Sequence, residues 1–271
     1  CAAGEVCNTA NQCCTPRCEG RTCGDDGCGG ECGPGCNPGQ LCSNGTCLLP
    51  ADAGTSAGPD AGPSIPHKVL IFHGHGGVGP EGMWGDMKHA DTLAVCAQEG
   101  LTASHATTWP GSLTDFRLVI LPAPGFNEAA ARFSAGEVAQ IKAFLEAGGI
   151  LAIEAEKAVV LDHACIEALL ADLGSPARFE SGWVDGKATR ITTHALTSGV
   201  TRIGLAAAGQ MVLNGEQCIA ATEEACVVAA RGLGQGWLVL VADGNTFSNM
   251  ATWDTAQDSN RRLLRNLLRL P

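Results

Sequence analysis

The stretch Gly148-Gly149-Ile150-Leu151-Ala152-Ile153-Glu154-Ala155-Glu156 decides the fold prediction for this chain. Upstream of it, Ser134 and Glu137 have the spacing of a capping box, and apolar residues recur at helical spacing. The first glycine of the stretch supplies the left-handed residue that ends this helix. The apolar run 150–153 is typical of a parallel strand covered on both faces. Glu154 is therefore predicted at the carboxyl end of a central strand, where open α/β sheets bind their ligands.

Similar apolar runs flank this stretch on both sides. Buried strands are predicted at 69–72, 101–108, 118–121 and 238–241, and shorter β-like segments at 189–192, 210–213 and 227–230. Helical patterns lie between several of them, and a last amphipathic helix is predicted from about residue 256. The alternation of strands and helices predicts an α/β domain over residues 67–271.

The order of helix, Gly-Gly, apolar strand and sharp turn resembles the nucleophile elbow of class I glutamine amidotransferase-like domains. Residues 193–199, Thr-His-Ala-Leu-Thr-Ser-Gly, resemble a segment of the related ThuA-like proteins. Residues 234–249, from Gly-Gln-Gly-Trp to Thr-Phe-Ser-Asn, resemble the ending of amidotransferase-like domains. The resemblance covers roughly residues 67–271. It implies a flavodoxin-like parallel sheet with helices on both faces.

The residue types at the elbow depart from the resembling families. Amidotransferases carry a cysteine there and ThuA-like proteins tend to carry a histidine, whereas this chain has Glu154. The family's catalytic histidine is replaced by the run Asp243-Gly244-Asn245. Since amide transfer needs an activated thiolate, we expect no glutamine hydrolysis and favour a domain that is not an enzyme.

Polar residues collect at the predicted strand ends and form the candidate ligand site: His73, His75, Glu154, Glu156, Asp243 and Asn245, with Trp84 as a floor. Adjacent strands lie only about 4.8 Å apart, so four of these residues, His73, His75, Glu154 and Asp243, are expected within roughly 10 Å of one another. Such a cluster would favour a cation or a polyhydroxylated ligand. The alternative is that its members only cap turns. No cofactor and no dedicated metal site are predicted, and a bound cation remains an alternative.

The cysteines are concentrated in the first part of the chain. Eleven of the 15 lie in residues 1–47, which contain almost no apolar core, so a disulfide framework formed in an oxidising compartment is predicted. Paired C-x-x-C spacings are missing, which disfavours zinc. The run from Cys18 to Gly33 resembles modules of myxobacterial surface lipoproteins. Residues 48–66, rich in Pro, Gly, Ala and Asp, are predicted to be a linker.

Cys1 is expected to be acylated, or at least unpaired, because processed lipoproteins begin with such a cysteine. The remaining fourteen cysteines would then form seven bridges. Among them, Cys218 and Cys226 would close a predicted hairpin, and Cys96 and Cys165 would pair by elimination. The lipid would attach the chain to a membrane without spanning it.

Charge and hydropathy exclude some partners, and the cysteine pattern favours a cell-surface protein. A net charge of −11 argues against nucleic acid, and no apolar run reaches the 18 residues of a membrane span. The favoured hypothesis is a secreted, lipid-anchored bacterial cell-surface protein with a non-catalytic binding or assembly module, whose partner would be a carbohydrate or a surface protein. One alternative is a ThuA-like enzyme that acts on a carbohydrate with Glu154 and nearby histidines. Another is a self-assembling subunit of an extracellular filament or lattice.

Overall fold

The computed structural model divides the chain into two compact units, Cys1–Ser64 and Ile65–Pro271. In the second unit it describes residues 66–80, 89–248 and 257–270. In the first it describes a set of short segments: 1, 6–7, 13–16, 18–19, 22–23, 26, 28, 32, 41–43 and 46–48. The predicted linker falls almost entirely outside the described residues.

The described segments of the first unit contain short strand pairs and disulfides. Strand β1 (Val6–Cys7) pairs antiparallel with β2 (Cys13–Cys14), and β3 (Leu41–Ser43) pairs antiparallel with β4 (Thr46–Leu48). Cys23 is disulfide-bonded, and three bridges are resolved in full: Cys1–Cys13, Cys14–Cys28 and Cys18–Cys32. The prediction that this region is disulfide-rich is confirmed, and such cross-links stabilise a fold mainly by restricting the unfolded chain.

The Cys1–Cys13 bridge corrects the expectation that Cys1 is unpaired. A lipid thioether and this disulfide need the same sulfur atom, so the two exclude each other. The expectation failed because an even count of the remaining cysteines does not determine which cysteine stays unpaired.

The second unit contains ten strands and four helices among its described residues. The strands are β5 (Lys68–Phe72), β6 (Thr102–Ala106), β7 (Phe116–Pro122), β8 (Ile150–Glu154), β9 (Arg178–Ala188), β10 (Arg190–Ile191), β11 (Ile203–Val212), β12 (Gln217–Ala221), β13 (Cys226–Leu233) and β14 (Gly236–Val241). The helices are α1 (Ala90–Gln98), α2 (Ala135–Glu146), α3 (Ala164–Asp172) and α4 (Gln257–Leu268), with a 3-10 turn at Ala195–Thr197. In this described part, no helix combines the length and apolarity needed to cross a membrane.

All ten strands belong to one mixed sheet. Its main path runs β10-β12-β13-β14-β8-β7-β5-β6, and β11 pairs with both β13 and β9. The five strands from β14 to β6 are parallel, and the remaining pairings are antiparallel. The prediction of a flavodoxin-like parallel sheet is therefore wrong for half of the sheet, and the fold is a mixed α/β fold.

Local sequence signals explain the parallel half. The capping box of α2 is formed, with Glu137 N donating to Ser134 Oγ at 3.3 Å and Ser134 N donating to Glu137 Oε2 at 2.7 Å. Strand β8 is buried along its whole length, as a central parallel strand should be. The crossovers through α1 and α2 run in opposite directions along the sheet, so right-handed connections place the two helices on opposite faces.

The cysteines of the second unit are paired only in part. Cys218–Cys226 bridges β12 and β13, as predicted. Cys96 and Cys165 are buried free thiols, which corrects the predicted bridge between them. Pairing by elimination assumed that every cysteine is oxidised, whereas a buried thiol is itself a common apolar core residue.

Candidate functional site

Glu154 lies at the carboxyl end of β8, between the neighbouring strands β7 and β14. The peptide group that joins Glu154 to Ala155 is held on both sides, because Ala123 N donates to Glu154 O at 2.9 Å and Ala155 N donates to Val241 O at 2.8 Å. The Glu154 side chain is fully buried, and Oε2 lies 2.7 Å from Nε2 of His89, whose side chain is also fully buried. The elbow position thus holds an internal acid–imidazole pair, and Glu154 is not presented to an open cleft.

His89 is the member of this buried pair that the sequence analysis missed. It occupies the N-cap position of α1 with a left-handed backbone (φ 53°), and its side chain caps nothing. The backbone carbonyl of His89 accepts a hydrogen bond from Leu93 N at 2.9 Å, as the first bond of the helix. A lone histidine before a helix gives little warning of such a role, although a left-handed non-glycine residue is uncommon and often marks a functional position.

Two further histidines, His73 and His105, lie beside this pair. His73 Nε2 lies 2.6 Å from His105 Nδ1, and the two rings stack with centroids 4.8 Å apart. His73 Nδ1 donates to the carbonyl of Val78. The His89 ring stands edge-on to His73, with centroids 6.1 Å apart. Burial lowers the pKa of His73 to about 4 and also lowers the pKa of His105, so both imidazoles are neutral at pH 7.

Two further carboxyl groups share the buried region. Burial raises the pKa of Glu156 to about 9, and the nearby Asp243 adds to the shift. Burial likewise raises the pKa of Asp243 to about 6, against hydrogen bonds donated by the backbone N–H groups of Ala206 and Asn245, the latter at 2.8 Å. Glu156 is therefore protonated at neutral pH while Asp243 is largely ionised.

Several polar atoms in this region lack hydrogen-bond partners. Across the described residues, six buried side-chain atoms are unsatisfied, and all six belong to this region: His89 Nδ1, Glu154 Oε1, Glu156 Oε1, Asn245 Oδ1, Thr246 Oγ1 and Ser248 Oγ. An unsatisfied buried polar atom costs about 1–3 kcal/mol, so the concentration of such atoms here is unfavourable for stability unless water or a ligand satisfies them.

His75 does not join this buried group. Its Nε2 lies 3.0 Å from Glu137 Oε1 at the start of α2, and its ring packs on Phe133 with centroids 4.3 Å apart. Of the four residues expected within roughly 10 Å of one another, Glu154 and Asp243 interact electrostatically, His73 is linked to Glu154 only through His89, and His75 contacts a helix. Trp84 lies outside the described residues. His163 is the N-cap residue of α3 and is buried, and its ring Nε2 donates to Glu156 O at 2.7 Å.

The buried group forms no ready ion site and lines no described open pocket. In the described part of the chain, no three His, Cys, Asp or Glu side chains are arranged to hold a metal ion. A pocket of about 330 Å³ lies elsewhere, lined by residues of α3, the start of β9 and a neighbouring turn: Glu167, Ala171, Pro176, Ala177, Arg178 and Asn214.

The sequence matches no family model and no curated protein. Solved structures share the fold. The mmIFT52 N-terminal domain has a TM-score of 0.52 at 13% identity, over 73% of this chain and 94% of that one. A β-galactosidase from Rahnella sp. R3 has a TM-score of 0.51 at 19% identity, over 76% of this chain but only 32% of the enzyme. This chain therefore spans about a third of that enzyme's length.

Two bacterial structures of similar size also resemble the chain. The cytoplasmic protein STM1381 from Salmonella typhimurium LT2 has a TM-score of 0.50 at 9% identity, over 74% of this chain and 99% of that one. A ThuA-like protein from Bacteroides uniformis has a TM-score of 0.43 at 12% identity, over 79% and 94%. At such identities the similarity concerns the fold alone.

Proposed function

We propose that this chain is a secreted cell-surface protein whose α/β domain is a non-catalytic binding or assembly module. The observation that carries the proposal is the Glu154–His89 pair at the elbow position, with both side chains fully buried. A nucleophile or acid–base catalyst must reach its substrate, and a carboxylate held inside the protein by an imidazole does not. The disulfides support export, because such bridges persist in oxidising compartments.

A second candidate is an enzyme of ThuA-like kind that acts on a carbohydrate. It is favoured by one observation, the different pKa values of Glu156, about 9, and Asp243, about 6. Neighbouring carboxyl groups whose pKa values are pushed apart are the usual pattern of an acid–base pair. Both side chains are buried, so this candidate requires the region to open when a substrate binds.

Assays of the purified full chain separate the two candidates. Ammonia release from glutamine and hydrolysis of a panel of aryl glycosides are measured for the wild type and for Glu156→Gln and Glu154→Gln. A non-catalytic module gives the same background rate in all three proteins. Turnover by the wild type that is lost in Glu156→Gln would overturn the proposal in favour of the enzyme.

Export is tested separately. Antibodies against the α/β domain should label intact, non-permeabilised cells of the source bacterium, or detect the chain in the culture supernatant. Detection only after the cells are lysed would contradict a surface or secreted location.

A further inference from the structure

We propose that the cavity between α3, the start of β9 and the turn that contains Asn214 binds a small zwitterion, namely an amino acid or a dipeptide with a free ammonium and a free carboxylate group. The cavity has a volume of about 330 Å³. Ligand pockets typically measure about 300–1,000 Å³, so the ligand must be small. This site is separate from the buried group around Glu154, and the proposal does not depend on whether the domain is an enzyme.

Two side chains of opposite charge line the cavity without neutralising each other. Glu167 lies on α3, and Arg178 is the first residue of β9. Among the residues that the structure describes, the Arg178 guanidinium has no ion-pair or hydrogen-bond partner. A guanidinium can bind a carboxylate through two parallel hydrogen bonds. Arg178 is therefore able to bind the anionic end of a ligand.

The Glu167 carboxylate is held in place with one oxygen still available. Its Oε1 accepts a hydrogen bond from the backbone N–H of Phe179 at 2.9 Å, which fixes the half-buried side chain against the start of β9. Within the described part of the chain, no donor reaches its Oε2. An ionised carboxylate only accepts hydrogen bonds and an ammonium group only donates them, so Glu167 can bind the cationic end of the ligand.

Buried hydrogen bonds hold two walls of the cavity together. Glu216 has a fully buried side chain, which accepts a hydrogen bond from the hydroxyl of Ser175, next to the lining residue Pro176. It also accepts from the backbone N–H of Asn214 at 2.6 Å, and Arg231 Nη1 lies 3.5 Å from its Oε1. Both walls are thus tied to one carboxylate, and a cavity that exists before binding reduces the free-energy cost of ordering the site.

The balance of charges selects the class of ligand. A purely anionic ligand would lie against Glu167, and a purely cationic one would lie against Arg178; like charges brought together in this way weaken binding. A zwitterion pairs with both side chains. The rest of the lining includes Ala171, Pro176 and Ala177, which are small and leave room for a short side chain of the ligand.

The test is a calorimetric titration of the purified full chain with the protein amino acids and with alanyl-alanine, each up to about 10 mM. We expect saturable binding of one molecule per chain for at least one of these probes. Blocking either charge of that probe, by acetylation of its amine or amidation of its carboxylate, should weaken binding by about 10–100-fold.

Variants locate the binding in this cavity. Arg178→Gln and Glu167→Gln should each weaken binding by about 10–100-fold. Glutamine at position 167 keeps an oxygen that can accept from Phe179 N, so the thermal unfolding midpoint should not change. Arg190→Gln and Glu146→Gln are the matched controls, because both residues are exposed and lie outside the lining of the cavity. Their affinities should equal that of the wild type.

The absence of saturable binding of every probe by the wild type would overturn the proposal. Wild-type affinity in Arg178→Gln or in Glu167→Gln would also overturn it. The blocked probes give an answer that needs no variant, since an acetylated or amidated probe that binds as tightly as its zwitterionic parent would contradict recognition of both charges.

Discussion

Glu154 and His89 are 65 residues apart in the chain, yet Glu154 Oε2 and His89 Nε2 lie 2.7 Å apart inside the protein. The pair joins the end of the central strand β8 to the start of helix α1. Both side chains are withdrawn from solvent, so each depends on the other to offset the cost of burial.

Glu154→Ala should destabilise the second unit strongly. Removing one partner of a buried pair leaves the other uncompensated, which typically costs about 3–5 kcal/mol of unfolding free energy. Denaturant unfolding measures the loss. Lys68→Ala is the control, because the Lys68–Asp115 ion pair is exposed and contributes about 1 kcal/mol at most. A Glu154→Ala loss no larger than that of the control would contradict the buried pair.

Glu156→Gln should change how stability depends on pH. The pKa of Glu156 is about 9 in the folded chain against an ordinary 4.5, so between these values the folded state retains a proton that the unfolded state has released. Wild-type stability therefore falls as pH rises through this window, by at most about 1.4 kcal/mol per pH unit from this group.

Glutamine has the shape of the protonated acid and does not ionise. The stability of Glu156→Gln relative to the wild type should therefore increase steadily from pH 5 to pH 9, as measured by urea unfolding at each pH. A constant difference across this range would show that Glu156 is ionised in the folded protein.

Gly236→Ala should disrupt the pairing of β14 with β8. A Cβ atom at this position would lie 2.1 Å from the carbonyl oxygen of Gly149, and backbone does not move aside cheaply. We expect a loss of at least about 1–3 kcal/mol in unfolding free energy. Gly232→Ala on the adjacent strand β13 has open space around the added atom and should cost much less. Equal losses in the two variants would contradict the register of these strands.

The cysteines of the second unit should differ in reactivity. Burial raises the pKa of Cys96 to about 12 and that of Cys165 to about 11, so neither forms a thiolate in the native state. Alkylation without reductant, followed by peptide mapping, should modify both only after denaturation, whereas Cys218 and Cys226 should stay unmodified. A Cys96–Cys165 disulfide peptide would restore the original pairing prediction.

Sequence reasoning located the elements that local signals define. The capping box at Ser134, the buried strand before Glu154 and the Cys218–Cys226 hairpin were predicted from residues close together in the chain, and the structure has all three. The parallel half of the sheet was also predicted from local signals, because its strands are continuous apolar runs.

Contacts between residues far apart in the chain could not be predicted from local sequence patterns. Glu154 meets His89 across 65 residues, and His73 meets His105 across 32, with no periodic pattern to indicate either contact. The antiparallel pairing of the other half of the sheet was not predicted, because its strands contain only short apolar runs and pair irregularly. The ladder between β9 and β11, for example, has two shifts in register.

Strand β14 pairs antiparallel with β13 and parallel with β8, so it forms the boundary between the antiparallel and the parallel half of the sheet. The two pairings place different demands on folding kinetics. The β13–β14 hairpin closes across a turn of two residues and can form within microseconds, whereas β14 reaches β8 only by closing a loop of more than 80 residues. During synthesis, β8 therefore emerges before β14, and the edge of β8 that pairs with β14 stays unpaired until β14 has been made. During that interval the unpaired edge of β8 is open to strand-mediated aggregation.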